Sequence, residues 1–182
     1  VRPGAPAAAR IVPPASARVG EPFDVLIELF DAHGNALVDF DRSGIEVVLG
    51  TGNPEASGQF EPSRLGASLF AQGRATARLR YTRAERTALA LEVRGVRATS
   101  PAFEVRAGAL HAFAVASPER RVMAGEPFTV TIEARDAGGN LIADFDRVGE
   151  LVELRATGTG ELEPSSIPPT AFAGGVATVA AR

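Results

Sequence analysis

The sequence predicts an all-β protein made of tandem Greek-key β-sandwiches. Three observations predict it. Apolar residues alternate with polar ones at period two. Gly, Pro, Asn and Asp break these runs about every 8–12 residues, the spacing of a sandwich. The whole pattern then recurs about 104 residues later. Gly20 to Gly44 reads GEPFDVLIELFDAHGNALVDFDRSG, and Gly125 to Gly149 reads GEPFTVTIEARDAGGNLIADFDRVG. They match at 16 of 25 positions without a gap. A second block pairs GQFEPSRLGASLFAQGRATARLR from Gly58 with GELEPSSIPPTAFAGGVATVAAR from Gly160. A third pairs Val1–Ala5 with Val105–Ala109. The expected domains are therefore 1–5, the end of a preceding repeat or linker; 6–107, a complete sandwich; and 108–182, a second sandwich lacking its last two strands.

The complete repeat divides into strands near residues 7–12, 22–30, 36–40, 45–50, 67–71, 73–81, 87–94 and 101–106. Phe23, Val25, Ile27 and Leu29 point to one face, with Asp24, Leu26, Glu28 and Phe30 on the other. Ala75, Ala77, Leu79 and Tyr81 alternate with Arg74, Thr76, Arg78 and Arg80. Leu89, Leu91 and Val93 form another inward row, as do Phe103 and Val105. No stretch carries a sustained 3.6-residue apolar period with helix caps. Two antiparallel sheets would bury the inward rows against each other.

Composition narrows the chemistry. Cysteine is absent, which excludes disulfides and thiolate sites. All 19 basic residues are arginine, so no lysine Schiff base or lysine cross-link can form. The net charge of −3 gives no electrostatic footprint for nucleic acid. No apolar run reaches the length of a membrane span. The Cys…Trp…Cys framework of antibody domains is missing, since the chain has neither residue.

The pattern G-E-P-F-x-V-x-I-E … D-A-x-G-N … D-F-D resembles bacterial immunoglobulin-like repeats, including invasin/intimin-like repeats and related tandem domains of bacterial surface proteins. The likeness covers both repeats. It implies an immunoglobulin-like sandwich used as a stalk, spacer or adhesive module at the cell surface or outside the cell.

The repeated Asp31-x-x-Gly34-Asn35 and Asp136-x-x-Gly139-Asn140 read first as turns. The Asp carboxylate accepts backbone N–H bonds, and Gly and Asn tolerate positive φ. A calcium reading would add Asp39, Asp41, Asp144 and Asp146 to Asp31, Asn35, Asp136 and Asn140, although the EF-hand spacing is absent. Catalysis is not expected. His33 is replaced by Gly138 in the second repeat, Pro6 stands at about the place of His111 in the first, and no G-x-S-x-G turn occurs. Glu161 and Glu163 read as solvated charges. Arg74, Arg78 and Arg80 line an outer face, where a solvated surface competes with a site for an acidic partner or anionic polysaccharide. Leu26 and Phe30 share that outer side, where the second repeat has Thr131 and Arg135, so they read as a candidate contact surface.

The repeats join through Arg106-Ala107-Gly108-Ala109, a link short enough to predict a stiff rod, with Gly108 as its hinge and roughly 35–40 Å per repeat. The second repeat holds no equivalents of Leu89, Leu91, Val93, Phe103 and Val105. Each such side chain contributes about 1.5–3 kcal/mol on burial, so together they exceed the margin of a small domain. Continuation of the chain, or a strand donated by another subunit, would supply them. The leading functional reading is a non-enzymatic spacer or fibre component. The alternatives are an adhesin or polysaccharide-binding module, a filament subunit assembled by strand donation, and an accessory domain of a secreted enzyme. Partners would be neighbouring repeats, identical subunits, a polysaccharide or a surface protein.

Overall fold

The computed structural model describes residues 4–119 and 121–182. The Val1–Pro3 part of the leading fragment lies outside the described residues. The chain folds as two units, Val1–Arg106 and Ala107–Arg182.

Unit 1 contains β1 (Ala8–Val12), β2 (Ser16–Arg18), β3 (Phe23–Phe30), β4 (Glu46–Thr51), β5 (Phe60–Glu61), β6 (Arg64–Gly66), β7 (Arg74–Tyr81), β8 (Glu85–Thr87), β9 (Leu89–Val93), β10 (Val96–Thr99) and β11 (Phe103–Arg106). One sheet has the order β1-β3-β7-β5. The facing layer combines β10-β9-β4-β6 with β2-β11-β8. Connections from β3 to β4 and from β4 to β5 pass between layers, and the result is a Greek-key, immunoglobulin-like sandwich. Its core joins Val25, Ile27, Leu29 and Leu79 to Val47, Leu49, Leu89, Leu91, Val93, Phe103 and Val105. The alternation is complete in β7, where Ala75, Ala77, Leu79 and Tyr81 are buried and the four intervening residues are exposed.

Two predicted strands are instead helical turns. Residues 36–40 form a turn leading into a 3-10 helix at Phe40–Arg42, and 67–71 contains one at Ala67–Leu69. Leu37 and Phe40 are both buried, as are Ala67 and Phe70. A three-residue spacing places two side chains on the same side of a helical turn but on opposite faces of a strand. The rings of Phe40 and Phe70 then meet edge to face, 5.0 Å apart.

Unit 2 contains β12 (Leu110–Ala116), β13 (Phe128–Asp136), β14 (Val152–Glu153), β15 (Ser166–Ile167) and β16 (Val176–Ala181), with a one-turn helix at Phe145–Val148. β12-β13-β16 reproduces β1-β3-β7, and β14-β15 reproduces β4-β6. Phe145 and Phe172 repeat the Phe40–Phe70 plug at 4.6 Å, and Phe113 adds a third ring 5.6 Å from Phe145.

One backbone position ties each plug to its sheet. Gly73 has φ +77° and accepts the Leu29 N–H through its carbonyl. A Cβ there would stand 2.8 Å from the Leu37 backbone nitrogen. Gly175 has φ +85° and accepts the Ala134 N–H, and a Cβ would stand 2.8 Å from the Ile142 carbonyl oxygen. Only glycine meets both the positive φ and the close approach.

Candidate functional site

The D-x-x-G-N motif closes each repeat's first sheet at the end of its second strand. Asp31 follows β3 and is buried. Its Oδ1 accepts the N–H groups of His33 and Asn35, both at 2.9 Å. Oδ2 accepts from the Asn35 amide at 3.1 Å and from the Gly4 N–H at 3.3 Å. Asp136 repeats the arrangement with Gly138 and Asn140, and its Oδ2 accepts the Gly108 N–H at 2.9 Å. Each carboxylate thus fastens the incoming chain to the first sheet of its repeat. Gly108, expected to act as a hinge, is bonded into unit 2.

These bonds favour the ionised carboxylate. Donors from Asn35, first its backbone and then its amide, pull Asp31 down to about 2. Burial pushes Asp136 up, but bonds from Gly108, Asn140 and Gly138 outweigh it, and the group is lowered. Asn35 and Asn140 point their amide nitrogens at the carboxylates. Asp39 and Asp41 are exposed, whereas Asp144 and Asp146 are half-buried. Among the described residues, no three His, Cys, Asp or Glu side chains gather in a metal-holding group.

The arginine face is tied to an acidic residue. Glu28 lies on the outer side of β3 yet is only 5% exposed. It is opposite Arg10 on β1 and Arg74 on β7. Arg74 Nε stands 2.7 Å from its carboxylate and Arg10 Nη1 3.6 Å. Half-buried Leu26 and Phe30 flank it on the same strand. Unit 2 keeps the acid as Glu133, with Ala114 and Val176 opposite. There, Arg135 stands in the place of Phe30 and bonds Glu133 along the strand. The two repeats neutralise the same carboxylate by different routes. Arg78 stands opposite Asp24, and Arg80 donates to the Gly20 carbonyl at 3.1 Å.

A third network was not legible from spacing. The buried Tyr81 hydroxyl donates to Glu85 at 2.6 Å, and the same carboxylate accepts the Ser57 and Gly58 N–H groups. Burial, then the bond to Glu85, pushes the phenol up to about 12. A Cβ on Gly58 would lie 2.5 Å from the tyrosine ring, so glycine permits the approach. This network locks the 53–59 loop onto the β7–β8 corner. His33 lies in the Asp31 turn and His111 on β12. Glu163 pairs with Arg182, whose Nε is 2.8 Å away. An open cleft of about 270 Å³ beside the Phe40 turn is lined in part by Pro6, Asp39, Ser43 and Arg94, with no histidine.

No family model matches the chain, and no curated protein matches it. Among solved structures, the chain is similar to domains 4–9 of the surface layer protein SbsC, at 13% identity and TM-score 0.39, over 85% of this chain and 23% of that one. It is similar to invasin, a bacterial integrin-binding protein, at 22% identity and TM-score 0.41, over 96% of this chain and 32% of that one. It is also similar to β-glucuronidase 3 of Bacteroides uniformis, at 14% identity and TM-score 0.29, over 95% of this chain and 21% of that one. The chain thus spans less than a third of each of these proteins. The fold assignment stands on the strand order and register of unit 1.

Proposed function

We propose that the chain is a non-enzymatic structural repeat module, a stalk or spacer, of a bacterial extracellular or cell-surface protein. The observation that carries the reading is the direction of the chain through unit 1. β2 and β11 pair in parallel, with Arg18 beside Arg106. β1 begins beside Phe30, at the far end of β3. The chain therefore comes in at one end of the sandwich and leaves at the other, so repeats joined in series add length. The carboxylate latch at Gly4 and Gly108 supports the same reading, because it shortens the free backbone before each repeat. No helix among the described residues is long and apolar enough to cross a membrane.

Two measurements test this. Scattering from polymers of one, two and four copies of residues 4–106 should give a maximum dimension rising by roughly 35–40 Å per copy. A dimension that fails to rise linearly overturns the spacer reading. Antibody against unit 1 should label intact cells. Labelling only after lysis overturns the surface location.

A second reading, an adhesive face, rests on Leu26 and Phe30, which stay half-buried on the outer side of β3 where unit 2 has Thr131 and Arg135. Its candidate partners are a polysaccharide or a surface protein. Replacing both residues by Thr and Arg should then abolish binding to cell-wall polysaccharide or host-cell surfaces. Unchanged binding removes this reading.

A further inference from the structure

The outer face of the β1-β3-β7 sheet carries three rows of side chains that run across the strands. Ala8 and Phe30 stand opposite each other in the first row. Arg10, Glu28 and Arg74 form the second, and Val12, Leu26 and Thr76 the third. Neighbouring rows lie about 6.6–6.8 Å apart, two residues along a strand. The second row is positive, because two arginines share one carboxylate. Further along, Asp24 stands opposite Arg78 and Glu61 opposite Arg80, so the excess charge of the face sits in the second row. The rows on either side of it are largely apolar. Val12 is 40% exposed, and Leu26 and Phe30 are half-buried.

The two arginines are held and still available. Glu28 is buried between them, while their own side chains remain 71% and 68% exposed. Two guanidiniums carry about ten N–H donors, and one carboxylate offers about four acceptor sites, so donors are left over. Unit 2 lacks the pattern. Ala114 and Val176 flank Glu133 there, and Thr131 takes the place of Leu26. Arg135 takes the place of Phe30 and is spent on Glu133.

We infer that this face of unit 1 docks an extended acidic segment of a partner protein. The segment carries a Glu or Asp seated between Arg10 and Arg74, with apolar residues two positions before and after it. The inference rests on the adhesive reading of the same face and names its partner. Side chains of an extended chain recur on one side every two residues, which is the spacing of the rows. Lying along β3, such a segment sets its acid over the charged row and its apolar side chains over Phe30 and Leu26. Its carboxylate takes up the spare guanidinium donors as charge-assisted bonds. An acidic polysaccharide matches the charge but leaves the apolar rows uncovered.

The test is an NMR titration of the full 182-residue chain with three probes. They are the capped peptide Thr-Leu-Thr-Glu-Thr-Leu-Thr, its counterpart with Gln for Glu, and oligogalacturonate. At millimolar acidic peptide, saturable shifts are expected at Val12, Leu26, Phe30 and the two arginines, with none at Thr131 or Arg135. The Gln peptide should bind at least tenfold more weakly. So should the acidic peptide to the chain carrying Arg10→Gln and Arg74→Gln. Leu26→Thr, which installs the residue of unit 2 and keeps the charged row, should weaken the peptide severalfold. No saturable shift on this face, or equal binding of the two peptides, overturns the proposal. Tighter binding of oligogalacturonate than of the acidic peptide also overturns it, because the partner is then a polysaccharide. The adhesive reading survives each of these failures if binding to cell surfaces still requires Leu26 and Phe30, and falls separately if it does not.

Discussion

Unit 1 and unit 2 share a sequence pattern, a turn motif and an aromatic plug, yet only unit 1 encloses its core. Phe40 and Phe145 are equally buried, as are Asp31 and Asp136. Ile11 and Val115 are not. Features set by a few neighbouring residues recur wherever their residues recur. Closure of the sandwich depends on strands far along the chain, and in unit 1 those strands are β8 to β11. Local structure is thus common to both repeats, and in unit 1 the distant strands enclose it.

The largest expected effect removes the difference. Phe103→Ala opens a cavity between Phe23 and Phe60 and should cost unit 1 about 3–5 kcal/mol. Denaturant unfolding should show one transition moving and the other staying. A loss below about 1 kcal/mol would mean that β11 does not close the core. Next come the shared glycines. Gly73→Ala places a Cβ against the Leu37 backbone at positive φ, and should cost unit 1 at least about 1–2 kcal/mol. Gly175→Ala should cost unit 2 the same amount, because its surroundings match. A clear inequality, read from paired melting curves, would show that the plug depends on the closing strands.

The sequence made the alternating strands legible, because period two shows in the residues themselves. The helical turns were misread although their signal was present. Leu37 with Phe40, and Ala67 with Phe70, stand three apart, and alternation cannot bury both members of such a pair. β10 was hidden for another reason: its hairpin turns at Arg94-Gly95, both at positive φ, and arginine gives no warning of that. The outward placement of Leu26 and Phe30 followed from period two. The burial of Glu28 between them did not, because it depends on the register that brings Arg10 and Arg74 opposite. Comparing the repeats recovers it afterwards: Arg10 and Arg74 are lost together, and Arg135 appears.

That exchange yields a smaller prediction. Arg10→Ala with Arg74→Ala leaves Glu28 shielded and without its two cross-strand partners. Both arginines are largely exposed and screened, so the cost should be about 1 kcal/mol rather than that of a fully buried pair. Adding Phe30→Arg installs the arrangement of unit 2 and should recover most of the loss. If the triple variant melts no higher than the double, the two arrangements are not equivalent.

The last comparison is one of pH dependence, and its effect fades in acid. The carboxyl of Asp31 is held at about 2, below the ordinary aspartate value of about 3.9. A depressed carboxyl contributes stability fully above the unfolded value, and that contribution fades as pH falls through the folded one. Asp31→Asn removes this dependence. The stability gap between parent and variant should therefore be constant from pH 7 to about 5 and shrink between about pH 4 and 2. Asp136→Asn should act in the same direction on unit 2, since that carboxyl is also lowered. Urea midpoints at pH 6 and 2.5 provide the comparison. A gap that stays constant for Asp31 would mean that its ionised form is not what the Asn35 and Gly4 donors stabilise. The latch would then act through shape rather than charge, and its recurrence in both repeats would reflect the geometry of the turn.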